Sequence, residues 1–223
     1  MLKQRGITLI SLMTGLVISM VLVLATLMLF QRMVRASTAA RIDAQADAQR
    51  SAAFLSAGIA AQEAGYGIDA AQAGTHLVVL TSAALADSAL SGTPASLGAT
   101  GNAVVWAENA TGARRCSALL APSGSGQGGL RKLGPVPCAD ASAFATLAWR
   151  TELPLMDAPT TPVADPPTAP LVAITWRDAT CTPFSIAAGT GADEKVLLPR
   201  PAANSNGVVL ETSQCLANVS PPP

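Results

Sequence analysis

The chain has 223 residues, 50% of them hydrophobic, 13% charged and 4% aromatic, and its formal net charge is zero. That charge is uneven: residues 1–50 hold six Lys and Arg against two Asp, and residues 51–223 carry the compensating acidic excess. A mildly acidic distal part argues against nucleic-acid binding through a broad basic surface, and its length allows one domain of about 150 residues with its own core.

The first element is apolar. Met1 to Gly6 is short and basic, with Lys3 and Arg5, and residues 7–30 carry no charge. At about 1.5 Å per residue a helix from Ile7 to Phe30 reaches about 36 Å, enough to cross a hydrocarbon core of about 30 Å. Lys3 and Arg5 favour a cytoplasmic N-terminus, although Arg32 and Arg35 beyond the span reduce the asymmetry. A cleaved secretory signal is one reading, but its apolar region is normally about 7–15 residues long. A plain N-terminal anchor is the second reading.

The third reading rests on Lys3-Gln4-Arg5-Gly6 followed at once by Ile7-Thr8-Leu9-Ile10-Ser11-Leu12. A glycine between a basic leader and an apolar run resembles the type III signal of type IV pilins and pseudopilins. The resemblance implies that a prepilin peptidase cuts between Gly6 and Ile7 and methylates the new N-terminus at Ile7. Two positions depart from the family pattern. Ile7 replaces the usual Phe, and Ser11 replaces the usual Glu at the fifth mature position. In the family that Glu pairs with the N-terminal amine of a neighbouring subunit, and a pseudopilin assigned to the tip in type II secretion lacks it. Ser11 therefore implies few copies at or near a filament tip rather than along its shaft.

Helix signals continue beyond the span. Residues 31–64 contain no Pro and one Gly, and Ala, Gln and Arg dominate. Ala46, Gln49, Ala53 and Ala57 form a small-residue stripe, with Phe54, Leu55 and Ile59 adding bulk, suited to a sheet or to neighbouring subunits. Gly65 and Gly67 around Tyr66 end the run, so one helix over residues 7–64 reaches about 87 Å if straight, with Gly58 leaving a break open. The segment Ala61 to Ile68, with an aromatic following a glycine after the stem, resembles the PilW-like minor pilins. An ordinary glycine cap with Tyr66 packed beneath it is the plainer alternative.

After residue 68, β-type runs alternate with Gly-, Pro- and Ser-rich connections. Expected strands are His76–Thr81, Ala103–Glu108, Arg114–Ala121, Gly129–Leu133, Ala143–Glu152, Leu171–Arg177, Phe184–Ala187, Lys195–Leu198 and Gly207–Thr212. The clearest stretches, Asn102–Trp106 and Leu171–Trp176, both end in Trp and read as core strands. A helical turn is expected at Ser82–Asp87 and loop from Leu85 to Gly101. Pro122–Gly129 reads as a flexible loop, Pro154–Pro170 as an exposed extended excursion, and Ser220–Pro223 as a disordered tail.

Four cysteines, Cys116, Cys138, Cys181 and Cys215, all lie beyond the apolar run. An even count in an exported part reads as two disulfides, and the favoured pairing is the local one, Cys116–Cys138 and Cys181–Cys215, with the other pairings open. No C-x-x-C pair is present and the one histidine is His76, which speaks against a metal site and a Ser-His-Asp triad. Gly124 to Gly129 lacks the Gly-Lys ending of a phosphate loop, and Asp157 and Asp193-Glu194 lack calcium-loop spacing. Asn109-Ala110-Thr111 and Asn218-Val219-Ser220 match the glycosylation sequon only formally. No catalytic residue, cofactor or metal is expected.

The sequence thus implies an α+β chain. Residues 1–6 are the leader, 7–64 the transmembrane and stem helix, 65–219 a mainly antiparallel β-rich periplasmic head and 220–223 a tail. The resemblance implies a structural minor pilin of the inner membrane, later of the cell-surface pilus. Its partners would be other minor pilins, the major pilin, prepilin peptidase and the assembly platform, with no direct nucleic-acid binding. A type II secretion pseudopilin and a membrane-anchored periplasmic binding module that never polymerises are the alternatives.

Overall fold

A computed structural model describes residues 9–122, 129–157, 172–179, 194–201 and 214–220. Its residues fall into two compact units divided between Gln49 and Arg50. Helix α1, Leu9–Ala61, is one unbroken element of 53 residues. Its apolar part is exposed throughout, from Leu9 at 72% to Phe30 at 65%. Polar side chains inside that part bond back to carbonyls of their own helix. Thr14 donates to the carbonyls of Ile10 and Ser11, Ser19 to Leu16 and Thr26 to Val23.

The second unit opens with the last turns of α1. Here Ala53, Phe54, Ala57, Ala60 and Ala61 are buried, a spacing that lines one helix face. Leu55 and Ile59, expected to add bulk to the same packing, are exposed at 67% and 58%, because they fall on the opposite face. Gly58 does not break the helix. A Cβ there would stand 3.0 Å from the side-chain oxygen of Gln214.

Among the described residues ten strands follow: β1 Leu77–Ala86, β2 Ala89–Pro94, β3 Thr100–Gly101, β4 Ala103–Glu108, β5 Arg115–Leu120, β6 Leu130–Pro137, β7 Glu152–Met156, β8 Val172–Ala179, β9 Glu194–Pro201 and β10 Gln214–Leu216. They form a six-stranded sheet in the order β2-β1-β4-β5-β6-β7 and a four-stranded sheet in the order β10-β9-β8-β3. The pairings between these described strands are antiparallel.

Alternation along the strands separates two cores. Leu77, Val79, Val104, Trp106 and Leu119 pack with the buried helix face and with Val172, Ile174, Trp176 and Leu216. Val78, Leu80, Ala103, Val105, Ala118 and Leu120 point to the other face, beneath Ala141, Phe144 and Trp149. Both Trp106 and Trp176 are core residues as expected.

Several expected elements are corrected. The helical turn expected at Ser82–Asp87 is strand as far as Ala86: β1 runs on through a bulge between Thr81 and Ala84, with Ser82 at φ 51°. The loop expected from Leu85 holds β2 and β3. Asp87 and Ser88 close the β1–β2 hairpin in two residues, both at positive φ, as a tight hairpin demands. The strand expected at Ala143–Glu152 is instead a 3-10 helix, Ala141–Thr146, capped by Asp140, whose side chain accepts from Ser142 N. Phe144 and Leu147 both pack on the second core at a spacing of three, which suits 3-10 rather than β geometry. Pro154 belongs to β7, an edge strand, where a missing N–H is tolerated. Ser220, expected in the tail, is bridged to Gln72. The strands expected at Phe184–Ala187 and Gly207–Thr212 lie outside the described residues, as do residues 123–128, 158–171 and 221–223.

Urea unfolding of the full chain in detergent micelles, followed by tryptophan fluorescence, checks the helix–sheet contact. Phe54→Ala should cost about 3–5 kcal/mol, and Ala57→Leu about 1–3 kcal/mol through overpacking. Leu55→Ala and Ile59→Ala, on the exposed face, should stay within about 0.5 kcal/mol. Equal effects on the two faces would contradict the packing.

Candidate functional site

Three regions carry the residues singled out in the sequence. The first is the start of α1. Gly6 and Ile7 lie outside the described residues, and so does the N-terminal end of the span expected at Ile7–Phe30. Ser11 is helical and exposed, and no Asp or Glu occurs before Asp43. One helix near the N-terminus is long and apolar enough to cross a membrane.

The second region is the junction where α1 meets the sheet. Gly65 donates to Ala107 O at 2.9 Å and Asn109 N to Tyr66 O at 2.8 Å. Both flanking glycines are required. At φ 74° a Cβ on Gly65 would stand 2.8 Å from Asn218 O, and at φ 68° one on Gly67 would stand 2.6 Å from Asn109 O. Tyr66 itself is 57% exposed, so it does not pack beneath the cap as the plainer alternative expected. The last described residues complete the junction. Ser220 N and Oγ both donate to Ala71 O at 2.8 Å, and Ala73 N donates to Ser220 O at 3.0 Å. Lys132 Nζ reaches Glu63 Oε2 at 3.5 Å, a half-exposed pair worth little by itself.

The third region is the cover over the second sheet face. Cys116 of β5 is joined to Cys138, with 5.7 Å between their Cα atoms, as the local pairing expected. Cys215 is also disulfide-bonded, and Cys181 lies outside the described residues. Beyond Cys138 the chain is pinned at each turn. Arg114 Nη1 donates to Ala139 O at 2.8 Å, Ala141 N and Ser142 N donate to Thr75 O, and Trp149 N donates to Ser88 O at 2.8 Å. The buried Trp149 indole donates to Phe144 O at 3.0 Å.

His76 serves this frame as well. Its Nδ1 accepts from Gln72 N at 3.1 Å and its carbonyl accepts from Ala107 N. Among the described residues no three His, Cys, Asp or Glu come together as a metal group would require. Sequence reading missed the Ser220 clasp and the pinned cover. Both depend on backbone groups meeting across long separations, which composition and period do not encode.

No protein-family model, curated protein or solved structure matches the chain.

The cover predicts a stability change on reduction. A bridge closing 22 residues contributes about 3 kcal/mol by the loop-entropy estimate. A Cys116→Ala/Cys138→Ala variant should lose that amount in urea unfolding, and non-reducing peptide maps should show a Cys116–Cys138 peptide. A Cys116–Cys181 peptide would refute the pairing.

Proposed function

We propose that this chain is a structural subunit of the type IV pilin class, most like a minor pilin. It waits in the inner membrane, loses Met1–Gly6, and packs through α1 into a filament or its initiating tip. The observation that carries the reading is the continuity of α1. A single helix of 53 residues runs from an apolar part with no cover of its own into the core of an antiparallel head. An exposed apolar helix followed in the same chain by a folded head is the order of parts that a subunit polymerising through its helix needs. The Gly6–Ile7 boundary supports the reading, and disulfides at Cys116 and Cys215 fit a head in an oxidising compartment. Partners of the same class would supply the apolar surface that α1 lacks.

Mass spectrometry of the N-terminus of protein from sheared filaments and inner membranes tests this. The mature chain should begin at N-methylated Ile7, and Gly6→Leu should retain the leader by obstructing the peptidase. Intact Met1–Gly6 on filament protein would remove the reading and leave a plain anchored module. Ser11→Glu should increase incorporation along the shaft, as counted by quantitative proteomics of sheared filaments. Unchanged incorporation would mean that the missing carboxylate does not set the position.

A further inference from the structure

Arg32 and Arg35 follow the apolar run at once, and both are exposed on α1. Three positions apart, they lie one turn from each other on the same helix face. The residues three or four positions away from them include Met28, Leu29, Ala36 and Thr38, and no carboxylate. The first acid after the span is Asp43. The helix therefore holds a like-charge pair that its own neighbours do not neutralise, an arrangement that mildly destabilises an isolated helix. The nearby Thr38 hydroxyl is already committed to Val34 O at 2.9 Å.

Length fixes where this pair sits. Leu9 to Phe30, at about 1.5 Å per residue, covers about 33 Å, close to a hydrocarbon core of about 30 Å. A bilayer whose hydrocarbon is matched to Leu9–Phe30 puts Arg32 just past it, at the level of the lipid phosphates, with Arg35 one turn further out. An arginine stem can lie along apolar surface while its head reaches the polar layer. The guanidinium fork also matches phosphate oxygens two at a time.

We propose that Arg32 and Arg35 form a binding face for the phosphate of an anionic phospholipid, in the leaflet on the carboxy-terminal side of the span. In the sequence Lys3 and Arg5 precede the apolar run. A chain without Met1–Gly6 keeps Arg32 and Arg35 as its basic side chains next to the span. The lipid contact does not require leader removal, since a plain anchor has the same two arginines.

The test uses the full chain reconstituted in phosphatidylcholine bilayers with trace spin-labelled phosphatidylglycerol or phosphatidylcholine. The fraction of label immobilised by the protein gives the selectivity. Each arginine near the surface contributes at most about fivefold. Wild type should prefer phosphatidylglycerol, Arg32→Gln/Arg35→Gln should lose at least about half of the preference, and high salt should weaken it. Arg32→Lys/Arg35→Lys should recover part of the preference, and Lys3→Gln/Arg5→Gln should retain the share due to the arginines. Full selectivity in the Arg32→Gln/Arg35→Gln variant, or none in the Lys3→Gln/Arg5→Gln variant, would overturn the proposal.

Discussion

One helix has to satisfy two solvents. From Leu9 to Val34 α1 exposes nearly all of its large apolar side chains. Leaving a Val, Leu, Ile or Met in water forgoes about 1.5–3 kcal/mol of burial, and the run is long and apolar enough to cross a membrane. From Ala53 to Ala64 the same chain is instead covered by sheet, through Phe54 and a row of alanines. Alanine suits that role because a small side chain lets a helix backbone settle close to strands that already carry Trp106 and Leu119.

Within the head, one residue secures the corner where the chain passes between the two sheets. Asn102 lies between β3 of the four-stranded sheet and β4 of the six-stranded one. Its side chain accepts from Ala83 N at 2.7 Å and donates to Ala83 O and Ala121 O, so the bulged part of β1 keeps its backbone bonds. Buried backbone groups left unpaired would cost about 1–3 kcal/mol each. Its neighbour Gly101 has no room for a side chain, since a Cβ would lie 2.3 Å from Leu80 O. The chain turns this corner because one residue supplies the missing hydrogen bonds and the other supplies none of the bulk.

Strong periodic signals were legible in the sequence. The long helix, the strand Ala103–Glu108 and the core tryptophans follow from runs whose period and composition agree. The second core face was not. Its hairpin turns on Asp87-Ser88 at positive φ, where Asn-Gly or Asp-Gly is the usual mark, so β2 read as loop. The strand β6 continues past Gly134-Pro135, a pair that reads as punctuation, because Gly134 at φ 85° forms a bulge beside Cys116. In the candidate site, the Cys116–Cys138 bridge is the favoured local pairing, though spacing by itself left the other pairings open. The clasp at Ser220 was not legible, because a backbone bridge over such a separation leaves no local pattern.

The two-solvent account is tested most directly by hydrogen–deuterium exchange on the full chain in lipid nanodiscs. Between residues 35 and 49 the described side chains of α1 are exposed on every side, with neither the apolar run nor the sheet to cover them. Local stability should follow cover. The account predicts slow exchange across the span and across residues 53–64, with faster exchange between them. Uniform protection along α1, or fast exchange at residues 53–64, would contradict it.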